Sequence, residues 1–498
     1  MKQISPTLLV VLLAACTTPY QDWRPRTPDT MPLGNGPLPQ GAARLTTPGA
    51  QPMTQPGAQP GAPPAAPGGA ASSAEALELP PITLREAIEM ALACSRGLQI
   101  ADRRILIARN QVDEAYTMLI PRVNAEGRAT ARSNDIGGQF GDQKFVIGDQ
   151  YVGTGKVEIL VPIYTFGLVT SKVEAETLKG DAAELDADRA RQDVVYAVSH
   201  AYYRVLEAQK IQTVVEESIK VVRRQYEIAQ DFHAQGLVAK NDVLSAGVQL
   251  ANREQQRIQA ENNVQLAIAT LNRLLRFGVN RRTSLVDVLE VEPWNGSFVS
   301  AVEVALRERP DLKSLERQVE IARAEYRVTR ATNMPFVYGY GDYMYSSDSF
   351  LVNDDWFAGG LVLNVPIFDG LETHTKLKRK EKEIEQAIDI HDDRLDDVVL
   401  SVKQAYLNVR ESSKRIPVAR KSIEEAEENL RIIRDQYAEG WVTITDVLTE
   451  EERLSRARSN YYQALYDYHA AYAALVHEIG AEPPSEEPPG DGSRDTEE

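Results

Sequence analysis

The sequence has almost no cysteine and little histidine, with 2 cysteines and 6 histidines among 498 residues. Two cysteines allow at most one disulfide bond, so packing rather than cross-linking has to stabilise the fold. No set of histidines and cysteines has the spacing of metal ligands, and neither a phosphate-binding loop nor a nucleophile elbow is present. These absences indicate a protein that is not an enzyme and that needs no metal or other cofactor.

The chain also lacks a basic excess and long apolar runs. Its formal net charge is −17, which argues against a nucleic-acid partner because phosphate binding needs clustered Lys and Arg. Beyond the N-terminus, no stretch approaches the roughly 18 uninterrupted apolar residues of a membrane-spanning helix. A chain of this kind can enter a bilayer only through β-strands or through a covalent lipid.

The first residues have the pattern of an exported lipoprotein. A short apolar run from Thr7 ends at Ala15 and is followed by Cys16, and this ending resembles the bacterial lipoprotein cleavage box. We therefore predict a signal peptide over residues 1–15 and a covalent lipid on Cys16. A plain secretory signal with an incidental cysteine is the alternative. Thr17 follows where inner-membrane lipoproteins have Asp, which favours the outer membrane.

Two segments differ in composition from the rest of the chain. Residues 16–81 hold more than half of the 27 prolines, mixed with Gly, Ala and Gln, and residues 481–498 are rich in Pro and acidic side chains. Neither composition can bury a core, so we predict a tether and a disordered tail. Cys94, in an apolar helical stretch, is predicted to be a small buried core residue.

Between these segments the sequence repeats itself once. The matching segments pair 107–109 with 321–323, 161–164 with 365–368, and 242–244 with 446–448. The last two spacings are ten residues shorter than the first, so the first repeat has a longer loop between Pro121 and Pro162. A length change confined to one interval indicates a surface hairpin tip. We predict two structural repeats, over residues 82–296 and 297–480.

Each repeat has the pattern of a helix, two strands, a long helix, a tight turn and a helix. Capping-box patterns open the first helices at Thr83 and Ser300. Alternation around Val157, Ile159 and Val161 predicts strands with one apolar face, and aromatic residues crowd the second hairpin, as in a membrane-interface girdle or a sheet core. The long helices carry apolar residues at steps of four and three, typical of a coiled coil.

Three local features of the predicted helices carry expectations of their own. Pro417 is expected to kink the second long helix. His469 and His477 lie eight residues apart on one helix, and we predict that both are surface residues. The acidic cluster within 392–397 is predicted to form a solvated face.

Geometry indicates an assembly. At about 1.5 Å per residue, helices over 167–235 and 371–439 would each reach on the order of 100 Å. A membrane barrel needs at least about eight strands, so the four predicted strands of one chain cannot close it alone. Three chains would supply twelve strands.

Together these features resemble the outer-membrane efflux protein family, the TolC-like channel tunnels, and especially its lipidated members. The resemblance implies a mainly α fold with a small β part: long coiled-coil helical hairpins that form an α-barrel, and four strands per chain in a twelve-stranded outer-membrane β-barrel. It implies a passive homotrimeric duct that carries small molecules such as drugs from the periplasm to the outside. The implied partners are a periplasmic adaptor (membrane fusion) protein, an inner-membrane pump and outer-membrane lipid. A type I protein secretion duct and a lipid-anchored coiled-coil scaffold without a pore are the alternatives.

The resemblance assigns the two helical turns to the periplasmic tip, where the adaptor would dock. These turns hold Gly236 and Leu237 in the first repeat and Gly440 and Trp441 in the second. The simplest role of the two glycines is a positive φ after a helix.

The resemblance also implies an entrance gate on the second hairpin. Tyr437 would belong to a latch, and Asp446 would belong to a ring of carboxylates. Val442 stands where the family pattern has a latch Arg, and Thr449 stands where it has a second ring Asp. Glu450 is a candidate for the missing charge. Asp446 has a second interpretation as a helix cap, because Thr-x-x-Asp opens the helix, and the two roles are compatible.

Overall fold

The computed structural model describes residues 80–291 and 293–480. The predicted signal peptide, the lipidated Cys16, all but the last two residues of the tether, and the acidic tail lie outside the described residues. The first half contains α1 Leu84–Cys94, α2 Arg96–Thr117, β1 Arg122–Ala131, β2 Ile136–Phe140, β3 Gln143–Gly148, β4 Tyr151–Tyr164, α3 Leu168–Ala234 and α4 Lys240–Leu274. The second half contains α5 Phe298–Glu308, α6 Pro310–Ala331, β5 Phe336–Ser346, β6 Asp355–Asn364, α7 Glu372–Ala438 and α8 Ile444–Ile479.

The first helix of each half is broken into two pieces, whereas the sequence predicted one continuous helix. The break falls at Ser95 and at Arg309, and both residues have extended backbone with ψ near 125° and 122°. Arg309 precedes Pro310, and the proline ring disfavours helical geometry in the residue before it. Ser95 instead caps α2, since its hydroxyl oxygen accepts a hydrogen bond from the N–H of Leu98.

One of the two predicted capping boxes is present at the start of these helices. The N–H of Thr83 donates to Glu86 Oε2 at 2.8 Å, and the N–H of Glu86 donates to Thr83 Oγ1 at 3.3 Å. The box at Ser300 was wrong, because α5 already begins at Phe298. Ser297 caps α5 by accepting from the N–H of Ser300 at 3.0 Å.

Two long helices set the length of the molecule. Helices α3 and α7 each contain 67 residues, which corresponds to about 100 Å at 1.5 Å per residue. Helix α7 continues across Pro417 without a break, although proline removes one hydrogen bond of the ladder. The predicted length is therefore confirmed.

The helices form two hairpins that meet along one seam. Helix α3 packs against α4, α7 packs against α8, and α3 and α8 join the two hairpins. Helix α8 contributes to each of three apolar clusters in turn, near Val447, near Leu465 and near Leu475. The core is therefore a long seam of mostly small side chains rather than one compact centre.

The strands join the two halves in one sheet. Four antiparallel strands lie in the order β1-β4-β5-β6, and β4 pairs with β5 over Thr154–Tyr164 and Val337–Ser346. The interval in which the first repeat is longer holds a separate two-stranded hairpin, β2-β3. The position of the longer loop was predicted from the repeat spacing, but its two strands were not.

Three predictions about individual side chains were wrong. Cys94 is exposed at the end of α1. His469 is 9% exposed, and His477 lies half-buried against Asp193. The sequence placed both histidines on one helix but could not show that α3 covers them. Within the described ranges, no helix combines the length and the apolar character needed to cross a bilayer.

Candidate functional site

The turn of each helical hairpin is built in the same way. Gly236 and Gly440 have φ of 74° and 80°, the left-handed region that favours glycine. The N–H of Gly236 donates to His233 O at 2.9 Å and that of Leu237 donates to Phe232 O at 2.9 Å, the Schellman pattern that satisfies the last carbonyls of a helix.

The second turn has the matching bonds. The N–H of Gly440 donates to Tyr437 O at 3.0 Å, and that of Trp441 donates to Gln436 O at 2.9 Å. Leu237 and Trp441 are 66% and 75% exposed. Each hairpin therefore ends in one large, solvent-exposed apolar side chain.

Asp446 caps helix α8. The N–H and the hydroxyl of Thr443 both donate to Asp446 Oδ2, at 2.9 Å and 2.7 Å. These hydrogen bonds hold the pKa of the Asp446 carboxyl below its usual value. The carboxylate is exposed and ionised at neutral pH, so it caps the helix and still presents a negative charge to solvent.

Tyr437 is enclosed between the hairpins. Its ring lies 6.1 Å from that of Phe232 on α3, and its hydroxyl is buried without a hydrogen-bond partner among the described residues. Burial, and then the negative charge of Asp242, raise the pKa of the Tyr437 hydroxyl. The side chain therefore carries a buried donor close to a carboxylate of the other hairpin.

The other three residues considered for the gate, Val442, Thr449 and Glu450, make contacts within the second hairpin. Val442 packs against the apolar cluster at the turn, and the Thr449 hydroxyl donates to Thr445 O at 2.8 Å. Glu450 is buried and accepts from Asn429 at 2.6 Å and from Arg453 at 2.5 Å. Arg453 on the same helix thus compensates the Glu450 charge, and Asn429 of α7 bonds its carboxylate, which argues against its replacing the missing ring carboxylate.

At the opposite end of the long helices, the sheet has two chemically different faces. Residues directly opposite in the register share a face, and Val157, Tyr343 and Phe357 lie in one such row. The exposed apolar side chains on this face include Val123, Val157, Ile159, Ile163, Phe357, Leu361 and Leu363. This is an uncovered apolar surface on a sheet.

The other face carries the charged side chains of β1 and β4. Lys156 and Glu158 form an ion pair at 2.9 Å, as do Arg128 and Glu126, and Asp342 lies opposite Glu158 in the register. The sequence predicted the alternation on β4 correctly. It could not show that the charged residues of β1, β4 and β5 fall in adjacent rows, since that depends on how strands far apart in sequence pair.

The edges of the sheet are open. Strands β1 and β6 each pair on one side only among the described residues. An open edge presents unpaired N–H and C=O groups, which is a template for another strand.

Long helical hairpins joined to a sheet with one uncovered apolar face and one charged face define a membrane channel subunit. The sequence matches the outer membrane efflux protein family over residues 87–275 and 301–481. The chain therefore belongs to the outer membrane efflux protein family, whose members are channel proteins of the outer membrane rather than enzymes.

Individual proteins show the same likeness. The alkaline protease secretion protein AprF of Pseudomonas aeruginosa is 24% identical over 70% of this chain and 82% of its own length. The probable outer membrane lipoprotein SilC of Salmonella typhimurium is 22% identical over 78% of this chain and 82% of its own length. The crystal structure of the outer membrane protein VceC from Vibrio cholerae covers 80% of this chain and 96% of its own, with a TM-score of 0.68 and 20% identity, which shows a shared fold.

Proposed function

We propose that this protein is the outer-membrane duct of a tripartite export system, a passive homotrimer that carries small molecules from the periplasm to the outside. The observation that carries the proposal is the sheet with two open edges and one uncovered apolar face. Lipid offers no hydrogen bonds, so edge strands inside a bilayer must find partners. Strands β1 and β6 run in opposite directions, so β6 of one copy can pair antiparallel with β1 of the next.

Three copies would close a ring of twelve strands. The apolar face would then meet lipid and the charged face would line the duct, as in a transmembrane barrel. The long helices would extend the duct into the periplasm, and a lipid on Cys16 would add an anchor. The relative SilC, described as a probable outer membrane lipoprotein, supports this last point.

The tips would dock a periplasmic adaptor, which links the duct to an inner-membrane pump. Leu237 and Trp441 are the exposed apolar side chains available there, and apolar or aromatic anchors of this type dominate protein interfaces. Energy for transport would come from the pump.

The test is the oligomeric state and conductance of the protein extracted from membranes. We expect trimers that form ion-conducting pores in planar bilayers. Leu361→Lys, on the apolar face of β6, should strongly reduce membrane insertion, because a lysine in the apolar band is unfavourable by up to about 2–4 kcal/mol. Ala358→Lys, on the opposite face of the same strand, is the matched control and should insert normally. Monomers without conductance would refute the proposal and favour a scaffold.

A second candidate cargo is protein. The likeness to AprF, named as a protease secretion protein, favours a type I secretion duct. A strain that lacks this chain distinguishes the two functions: small-molecule export predicts that dyes and drugs accumulate in the cells, whereas protein secretion predicts the loss of a protein from the culture medium.

A further inference from the structure

A cavity of about 630 Å³ lies where the sheet meets the long helices. Its wall is formed by the first residues of β1 and β5, the last residues of β4 and β6, and the start of α3. Most of the wall is aromatic or apolar, with Leu160, Leu168, Phe336, Tyr338, Tyr340 and Val362. A volume of this size suits a drug-sized ligand.

The cavity lies on the charged face of the sheet. Arg122 pairs with Leu160, and Leu160 pairs with Tyr340, so the three side chains share one row. Glu158, two residues before Leu160 on β4, faces the same side. The uncovered apolar residues lie on the opposite face, so in the trimer proposed above this cavity would face the duct.

A glycine shapes the wall of the cavity. Gly360 pairs with Tyr340, and a Cβ at Gly360 would come 3.2 Å from Tyr340 Cε1. The Tyr340 ring therefore lies against the backbone of β6 and presents a flat aromatic surface. Phe336 and Tyr338 extend this surface, with ring centroids 5.7 Å apart.

The two charged side chains that line the cavity differ in their pairing. Arg122 and Glu158 are the charged side chains among the lining residues, and Glu158 is paired with Lys156 at 2.9 Å. In the described part of the chain, Arg122 has no ion pair, and the hydroxyls of Tyr338 and Tyr340 have no hydrogen-bond partner. A free guanidinium and two free hydroxyls beside aromatic rings complement an anionic group on an apolar body.

We propose that this cavity is a transit site for amphiphilic anions, small molecules that combine an aromatic or aliphatic body with a carboxylate or sulfonate. The inference rests on the proposed duct function and names a substrate class for it. Asp446, which the family resemblance assigns to the entrance, does not oppose it. The 67 residues of α7 separate the two places by about 100 Å, while salt screens charges beyond about 8 Å.

Binding of naphthalene-1-sulfonate to the full-length trimer in nanodiscs tests the site. We expect saturable binding that 1-naphthylmethylammonium does not match. Arg122→Gln should weaken the binding at least about tenfold, because it removes a charged hydrogen-bond donor. Arg122→Lys keeps the charge and should keep most of the affinity. Arg128→Gln is the matched control, since Arg128 lies on the same face of β1, outside the cavity and paired with Glu126.

Equal affinities of Arg122→Gln and Arg128→Gln, or equal binding of the cation, would overturn the transit site. Conductance of the same trimers in planar bilayers is measured in parallel. Pores without Arg122-dependent binding would leave the duct function standing and refute the site. Arg122-dependent binding without any conductance would confirm an anion site and refute the duct.

Discussion

Arg309 ties the beginning of the second repeat to its end by bonding Glu478 twice. Its Nη1 donates to the Glu478 carbonyl oxygen at 3.0 Å and to Oε2 at 2.7 Å. The other edge of the guanidinium donates to both carboxylate oxygens of Asp311, at 2.9 Å and 2.7 Å. The side chain is 1% exposed, so one buried cation holds two carboxylates at the break between α5 and α6.

Hydrogen bonds lower the pKa of both carboxyl groups. Burial alone would raise the pKa of Glu478, but hydrogen bonds from His477, Ser401 and Arg309 hold that pKa well below its usual range. The pKa of Asp311 is held low in the same way, by Arg309 and Arg394.

Removal of the Arg309 guanidinium is expected to lower the free energy of unfolding. Arg309→Met removes a buried cation from two half-buried carboxylates. Breaking a fully buried pair typically destabilises a protein by about 3–5 kcal/mol. The loss here should stay below that range, because Asp311 keeps Arg394 and Glu478 keeps the Ser401 hydroxyl. The thermal midpoint of the purified protein should fall clearly. Arg307→Met is the control, because Arg307 is exposed and its one ion pair in the described ranges is with its neighbour Glu308. Equal midpoints for the two variants would show that the buried pair does not stabilise the fold.

His469 should make the protein sensitive to mild acid. It stacks on Tyr203 of α3 with ring centroids 5.0 Å apart, and burial lowers the pKa of His469 to about 4. The unfolded chain keeps the ordinary pKa of about 6.5. Between these pH values the unfolded chain binds one more proton, so the free energy of unfolding decreases as pH falls, by up to about 3 kcal/mol.

The matching variant is His469→Phe, which keeps a ring against Tyr203 but cannot titrate. Melting at pH 7 and at pH 4.5 should show a smaller loss of stability for this variant than for the unchanged protein. His374→Phe, at an exposed position of α7, should leave the loss unchanged. The same acid-induced loss in His469→Phe would assign the effect to other groups.

Substitution of the two turn glycines should destabilise the protein, because their backbone conformation has a positive φ. Gly440 has φ of 80° and open space where a Cβ would lie, so Gly440→Ala strains the backbone without a clash and should destabilise the turn by about 1 kcal/mol. Asn tolerates this region better and should be milder. Gly180 lies inside α3 with similar open space, so Gly180→Ala should stabilise by up to about 1 kcal/mol. Thermal melting that shows the same sign for both Ala variants would contradict this account.

Asp446 allows its two roles to be separated. Asp446→Asn removes the charge but keeps an oxygen that can accept from the Thr443 N–H, so the helix should stay capped. If the carboxylate faces the entrance of the duct, this variant should lower the preference of the pore for cations, as judged from reversal potentials in a salt gradient. Asp446→Ala should lower it equally and also weaken the cap. Unchanged selectivity in both variants would leave Asp446 with the capping role alone.

Much of this fold could be predicted because its signals are local. The steps of four and three residues predicted α3 and α7 to within a few residues, and the glycines at 236 and 440 marked both turns. Both helix breaks were missed. At Ser95 an ordinary serine cap replaces a helical residue, and at Arg309 the chain turns before Pro310. The hairpin β2-β3 was missed because its short strands carry several glycines and little alternation.

The candidate site was predicted less completely, for a physical reason. Tyr437 and Asp446 lie in the predicted hairpin, but the enclosure of Tyr437 by Phe232 depends on a helix that begins some 270 residues earlier. The cavity beside Arg122 had no signal in the sequence. Its wall combines residues from β1, β4, β5 and β6. These residues are far apart in the sequence, so no spacing within one segment predicts that they meet.

The sequence by itself determined the repeat, the lengths and types of the helices, the glycine turns and the alternation on β4, since each depends on neighbours within a few residues along the chain. The tertiary structure alone decided that β4 lies beside β5, that α3 covers His469, and that Arg309 meets Glu478. These contacts join residues more than 150 positions apart, and their energies arise only when desolvation, charge pairing and strand register are satisfied together.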